Sequence, residues 1–234
     1  MSQDCPVSAN RLLAALPEDE YQRLKPYLKK VTIKTGTVLY EVSEKIDTVY
    51  FPLTGLISMV SILSNGSTTE IALIGGTGML GIPVLLGSGY SHHRAVVQVP
   101  DGAFKISARV LKREFDRGGA LQKILYRYIE TRLEEVSQLA VCNRHHLIEE
   151  RLARWLLTVQ DLHQCDKLPL TQEFISHMLG VRRSGVTLVA GTFQRAGLIS
   201  YSRGKITILD RQGLKDTACE CYQLTRDNFY QVEK

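Results

Sequence analysis

The tract Leu179-Gly-Val-Arg-Arg-Ser-Gly-Val-Thr187 sets two adjacent arginines between a glycine and a run of small residues. Adjacent guanidinium groups do nothing for an apolar core; they face water, a partner or a polyanion. The charge around them narrows the choice. From Phe174 to Leu209 there is no acidic residue, while Arg182, Arg183, Arg195, Arg203 and Lys205 all fall in that window. These five cations equal the net charge of +5 of the whole 234-residue chain. A local field of this kind is the footprint of a nucleic-acid-binding surface. On composition alone, a solvated face with counterions fits equally well. Arginine can clasp guanine O6 and N7 with two hydrogen bonds, which makes Arg183, and after it Arg182, candidates for base contact. Ser184 and Thr187 suit base or phosphate. Arg203 and Lys205 suit phosphates, which fix position but carry no sequence information. Thr171 and Gln172 are phosphate candidates through a helix N-terminus.

The elements that must position these side chains are legible. Thr171 is an N-cap candidate and Glu173 falls in the first turn, where a carboxylate complements the positive helix end. The helix predicted there runs from Gln172 to about Leu179, and Gly180 ends it by taking positive φ. A second helix begins near Arg183. Its apolar face is Val186, Val189 and Phe193; its opposite side presents Arg183, Ser184, Thr187 and Gln194. Two short helices about a glycine turn make a helix-turn-helix, whose second helix sends its N-terminal residues to base edges in the major groove. Leu198–Ser202 and Lys205–Leu209 read as strands joined at Arg203-Gly204, a hairpin wing with cations at its tip. Docking to a protein is the alternative use of such a module.

Upstream, short β-rich runs (31–34, 38–40, 49–51, 56–63, 70–74 and 95–99) are separated by turn residues, the pattern of a barrel or sandwich. Ser64-Asn-Gly-Ser67 predicts a two-residue type I′ hairpin. Leu12 to Leu28 is a helical pattern that caps this barrel. After Gly118-Gly119 the period changes. Leu121, Leu125, Ile129, Leu133, Val136 and Ala140 recur at steps of three and four, one apolar stripe on a long helix. We read it as a parallel dimer seam, with intrachain packing as the alternative. A further helix carries Ile148, Leu152, Trp155, Leu156 and Val159, and ends at a linker over 164–167.

Other chemistry finds little support. Five cysteines (Cys5, Cys142, Cys165, Cys219 and Cys221) are odd in number and irregular in spacing, which is no disulfide framework. Cys219 and Cys221, two apart on a helix, would point to different sides and make poor joint ligands, so they read as small buried residues, with thiol sensing left open. The adjacent pairs His92-His93 and His145-His146 lack partners at metal-binding spacing. No metal, cofactor or catalytic residue is therefore assigned, and the chain is not read as an enzyme. The first residues lack an apolar secretion signal, and no apolar run reaches the roughly 20 residues of a membrane span, so a cytoplasmic protein without membrane contact is expected.

Taken together, the motifs resemble the Crp/Fnr family of transcription regulators. The resemblance rests on Asn143-Arg-His-His-Leu-Ile-Glu-Glu-Arg-Leu-Ala-Arg-Trp-Leu-Leu157, Leu170-Thr-Gln-Glu-Phe174, Met178-Leu-Gly-Val-Arg-Arg183, Gln194-Arg-Ala-Gly-Leu-Ile199 and Arg203-Gly-Lys-Ile-Thr-Ile-Leu-Asp210, and more weakly on Tyr50-Phe-Pro52 and the glycines from Gly75 to Gly81. It implies an α+β protein. A jelly-roll-like, cyclic-nucleotide-binding-like β-roll would span 12–117 and a dimerisation helix 118–142. A Crp-type winged helix-turn-helix would span 143–215 and a C-terminal helix 216–234. It also implies a homodimer, with double-stranded DNA and RNA polymerase as partners, and two reading helices about one helical turn, ~34 Å, apart on a symmetric operator.

The departures bear on the signal. Members that bind cyclic AMP hold its ribose with a Gly-Glu pair and its phosphate with Arg-(Ser/Thr)-Ala. Here Gly78-Met79-Leu80-Gly81 and His93-Arg94-Ala95 stand instead. Methionine accepts no such hydrogen bond, and a one-residue shift along a strand turns a side chain to the other face. An effector pocket would be built from Gly78, Met79, Gly81, His93 and Arg94, but not for tight binding of cyclic AMP. One cysteine near the N-terminus does not support an iron–sulfur cluster. The reading helix departs too: Arg183, Ser184 and Leu188 stand where the best-known member has an Arg-Glu pair and a second arginine. Two functions follow: a DNA-binding regulator with a sensor domain for an unidentified signal, or a ligand-binding module whose winged helix docks a protein.

Overall fold

The computed structural model describes residues 10–231. Two short helices, α1 (Arg11–Ala14) and α2 (Glu18–Leu24), and a 3-10 turn (Lys25–Tyr27) precede seven strands. The predicted helical pattern over 12–28 is thus broken, at Pro17 before α2 and at Pro26 in the 3-10 turn. The strands are β1 (Lys29–Ile33), β2 (Val38–Tyr40), β3 (Thr48–Pro52), β4 (Leu56–Ile62), β5 (Thr68–Ile74), β6 (Arg94–Val99) and β7 (Asp101–Ser107), with α3 (Ile82–Leu86) between β5 and β6. They form two antiparallel sheets, β1-β7-β3 and β2-β6-β4-β5. Each predicted strand is present. The β7 strand was hidden because Pro100 and Gly102 read as a turn. Gly102 sits inside β7, where a Cβ would come within 3.1 Å of Leu53.

The hairpin between β4 and β5 is present, but its turn is not type I′. Gly66 alone takes positive φ, at +80°; Asn65 does not. Instead the Asn65 carboxamide oxygen accepts from the Ser67 amide at 3.0 Å, and Gly66 N–H donates to Leu63 O at 2.9 Å. A side chain that bonds its own backbone two residues on lets asparagine hold the turn without left-handed strain.

Helix α4 (Ala108–Asp116) leads to α5 (Ala120–His145), whose 26 residues span about 39 Å. Gly119 has no side chain to cap α5, so Glu20 does so from α2, accepting from the Ala120 and Leu121 amides at 2.8 Å each. The stripe on α5 divides in two. Leu121, Leu125 and Ile129 are buried in the roll core with Phe51, Met79 and Leu111, whereas Leu133 is 66% exposed and Val136 46%, with Ala140 exposed as well. The first half of the expected seam is therefore intrachain core. The stripe advances by steps of four, four, four, three and four, on average more per step than the 3.6 residues of a helical turn, so it drifts around the helix and no single partner takes it all.

The chain continues through α6 (Ile148–His163), β8 (Lys167–Leu168), α7 (Gln172–Leu179), α8 (Arg183–Arg195), β9 (Ile199–Ser202), β10 (Lys205–Ile208), α9 (Arg211–Thr217) and α10 (Cys221–Gln231). The third sheet has the order β8-β10-β9. Helix α6 is its organiser. Leu152, Trp155, Leu156 and Val159 pack at once on Ile175, Val186 and Phe193 and on Leu56, Val60, Leu73 and Val99 of the roll. That second contact explains why β4 is apolar without alternation: both of its faces are covered.

Candidate nucleic-acid interface

Thr171 caps α7 as its sequence suggests, its hydroxyl accepting from the Phe174 amide at 3.1 Å. Gly180 ends the helix in the left-handed region at φ +63°, and the Val181 amide reaches back to Ser176 O at 3.0 Å. A Cβ on Gly180 would lie 3.0 Å from the Thr69 hydroxyl of β5, so the turn is pressed against the roll. Arg182, in extended conformation, precedes the first residue of α8, Arg183.

On α8 the inner face is Val186, Ala190 and Phe193, with Val189 half-buried, a small rotation from the predicted face. The outer face exposes Arg183, Ser184, Thr187 and Leu188. Gly185 faces α6, where a Cβ would stand 3.2 Å from Ile148 Cδ1. Leu188 is the residue the charge pattern could not flag. It is 70% exposed on the polar side of α8. Its signal is its register, one turn after Ser184, rather than its type.

The wing closes the group. Arg203 and Gly204 both take positive φ, +48° and +76°, the two-residue hairpin geometry that Asn65 and Gly66 do not adopt. A Cβ on Gly204 would come within 3.3 Å of Thr171 Cγ2, and the Tyr201 hydroxyl accepts from the Gln172 amide at 3.3 Å. The Thr187 hydroxyl lies 2.7 Å from the Gln172 side-chain oxygen. Wing tip, α7 N-terminus and α8 are thereby tied into one unit. Thr171, Arg182, Arg183, Ser184, Thr187, Arg203 and Lys205 are exposed and Gln172 is half-buried on it. Together they make a cation-bearing surface, with Glu173 in the first turn of α7 as its acidic neighbour, that can take phosphates at the helix N-termini and wing, and base edges along α8.

The five residues suggested for an effector pocket are not brought together. Met79 is fully buried in the roll core, and its carbonyl accepts from the Tyr128 hydroxyl at 2.9 Å. Gly78 packs under that same Tyr128 ring. Arg94 turns outward and pairs with Glu41 through Nε at 3.0 Å and Nη2 at 2.9 Å. Gly81 and His93 alone border a cavity, with Tyr40, Met59, Leu80 and Pro83. Burial and the neighbouring His92 hold the His93 pKa below its ordinary value. An apolar lining and a neutral imidazole suit a small, weakly polar molecule better than a cyclic phosphate.

The reading of Cys219 and Cys221 as residues of one helix is corrected. Helix α9 ends at Thr217, Ala218 is extended, and α10 starts at Cys221, so the two thiols straddle a break and face the same way. Cys5 lies outside the described residues. Among the described residues, no helix is long and apolar enough to cross a membrane.

The chain joins a two-sheet roll, a long helix and a winged helix-turn-helix. Residues 150–217 match the model of the Crp-like helix-turn-helix domain. Over more than four fifths of the chain, the fold is that of solved Crp/Fnr-family regulators. A Crp/Fnr-family regulator from Eubacterium rectale is 20% identical with a TM-score of 0.68, over 88% of this chain and 96% of that one. FixK2 from Bradyrhizobium japonicum is 18% identical with a TM-score of 0.70, over 82% and 98%. A CRP/FNR-family regulator from Thermus thermophilus is 23% identical with a TM-score of 0.68, over 81% and 98%. Comparison with curated protein sequences gives no match.

Proposed function

We propose that this regulator binds double-stranded DNA as a homodimer on a two-fold symmetric operator, through the outer face of α8. The observation that carries this reading is the convergence of α8, the α7 N-terminus and the wing tip on one surface that bears Arg182, Arg183, Arg203 and Lys205. Arg183 reads a guanine, Leu188 covers a thymine methyl, and Arg203, Lys205 and the Gln172 amide position the backbone. The dimer forms along the exposed second half of α5, through Leu133, Val136 and Ala140, continued by Val141 and by Tyr126 one heptad before Leu133. The roll senses a signal other than cyclic AMP, and the docking of α6 on β4 and β5 carries it to the reader. The protein acts in the cytoplasm, alongside RNA polymerase, and not as an enzyme.

The test is the salt dependence of binding to a genomic DNA fragment library. Counterion release makes the affinity for DNA fall steeply with salt, by about 0.9 log units per log unit of salt for each phosphate neutralised. A salt-insensitive surface that binds protein instead would favour the docking reading, to which exposed Leu188 also lends itself.

A further inference from the structure

Beside the joint between α5 and α6, four side chains meet. Cys142 is in the last turn of α5, His146 follows that helix directly, and Cys219 and Cys221 bracket the start of α10. Their Sγ and imidazole nitrogen atoms all lie within 4.8 Å of one another. The Cys142 and Cys219 sulfurs are 3.6 Å apart, and His146 Nδ1 is 3.6 Å from the Cys221 sulfur. A disulfide needs about 2.05 Å, and all three thiols are free. With metal–sulfur bonds of about 2.3 Å and metal–nitrogen bonds of about 2.0 Å, the corners of a tetrahedral zinc site stand roughly 3.5–3.8 Å apart. The Cys142–Cys219 and His146–Cys221 separations match this, and the remaining ones lie within 4.8 Å, so the four donors can close on a common centre. We propose that Cys142, His146, Cys219 and Cys221 bind one divalent cation of the zinc type in tetrahedral Cys₃His coordination.

The surroundings support the same conclusion. Metal-bound histidine generally gives its second ring nitrogen to a carboxylate, which fixes the tautomer and raises the basicity of the donor atom. Here His146 points Nδ1 at the sulfurs, and its Nε2 lies 3.2 Å from the Glu220 carboxylate. The Gln138 amide donates to the Cys221 sulfur at 3.0 Å, a bond that favours the thiolate form. Three thiolates around a dication leave one negative charge. Arg154 on α6, next to α5, is near enough to act on the Cys142 thiol electrostatically and offsets that charge. The cysteines are buried and His146 is half-buried, as in a closed structural site without a free coordination position. A polynuclear iron–sulfur cluster takes its thiolates at a wider periphery than four donors packed about one point.

Binding releases a proton from each thiol and fastens the C-terminal helix to the point where α5 hands over to α6. The break between α9 and α10 lets Cys219 and Cys221 converge where one continuous helix would have turned them apart. His146 and Cys142 were overlooked because their partners stand more than 70 residues away, beyond any local motif.

The test uses the full chain, stripped with a chelator under reducing conditions and titrated with Co²⁺ and then Zn²⁺. We expect saturation at one cobalt per chain, with intense thiolate-to-cobalt charge transfer and the strong visible bands of a tetrahedral site, both bleached by zinc. His146→Ala should alter the visible bands while leaving thiolate charge transfer, and Cys219→Ala with Cys221→Ala should abolish both. Chelation should lower the melting temperature of the parent chain but not of the double variant. The weak spectrum of octahedral cobalt, no binding, or recovery of the protein with iron and acid-labile sulfide would each overturn the proposal. Because the cobalt spectrum is read on the unmodified chain, a variant that fails to fold does not decide the matter.

Discussion

The Trp155 indole N–H donates to the Glu70 carboxylate at 2.8 Å, joining α6 of the DNA-binding unit to β5 of the roll. The Ser58 hydroxyl donates to the other oxygen of the same carboxylate at 2.6 Å. Burial is the main influence on Glu70 and raises its pKa from 4.5 to about 7; the bonds from Ser58 and Trp155 and the nearby Arg154 oppose this, and Glu135 adds to it. A carboxyl group raised in the folded state stabilises fully below its unfolded value. That contribution disappears as pH rises through the folded value. Stability is therefore expected to fall between about pH 4.5 and pH 7, by on the order of 3 kcal/mol. Glu70→Gln should flatten this window in chemical denaturation curves. An unchanged pH profile in the variant would remove Glu70 from the account.

Arg183 and the wing cations should fail differently. Arg183→Ala is expected to cost about 1–3 kcal/mol on the best DNA site and to relax preference at one base position of each half-site. Arg203→Ala and Lys205→Ala should weaken binding to all sequences alike and each reduce the salt slope by about 1. Fluorescence anisotropy on matched and mismatched duplexes separates the two patterns. Equal loss on all sequences for Arg183→Ala would make it a phosphate contact.

The two halves of α5 are also separable. Leu125 is fully buried and Leu133 is 66% exposed. Leu125→Ala should destabilise the fold by about 2–5 kcal/mol through a core cavity. Leu133→Asp should leave thermal unfolding of the roll nearly unchanged while converting a dimer to monomers in analytical ultracentrifugation. A Leu133→Asp chain that sediments like the parent would place the dimer contact elsewhere.

Much of this was readable in the sequence because it rests on local rules. Thr171 as a cap, Gly180 as a left-handed stop and Arg203-Gly204 as a hairpin turn are decided within a few residues of each. What escaped depends on tertiary partners. Asn65 has the right type for a primed turn, yet its carboxamide bonds Ser67 and keeps its φ negative. Leu121 and Leu133 belong to one periodic stripe, but only the roll decides that the first is core and the second exposed. Gly78 and Met79 align with a ligand-binding run, while in the fold Tyr128 on α5 packs against Gly78 and bonds the Met79 carbonyl.

Calorimetric titration with cyclic AMP is expected to give no micromolar or tighter binding. The Arg94 guanidinium is engaged by Glu41, and Met79 offers the ribose no carboxylate. A dissociation constant in the micromolar range or below would show that the roll rearranges around the nucleotide.

The most direct test of the central claim is selection of bound duplexes from a random DNA pool by the purified, metal-replete protein at one stated salt concentration. The account predicts enrichment of a two-fold symmetric sequence with half-site centres about 10–10.5 base pairs apart, and loss of that enrichment in Arg183→Ala. No enrichment, with or without a small-molecule extract, would contradict it and leave the surface of α8 to a partner other than DNA.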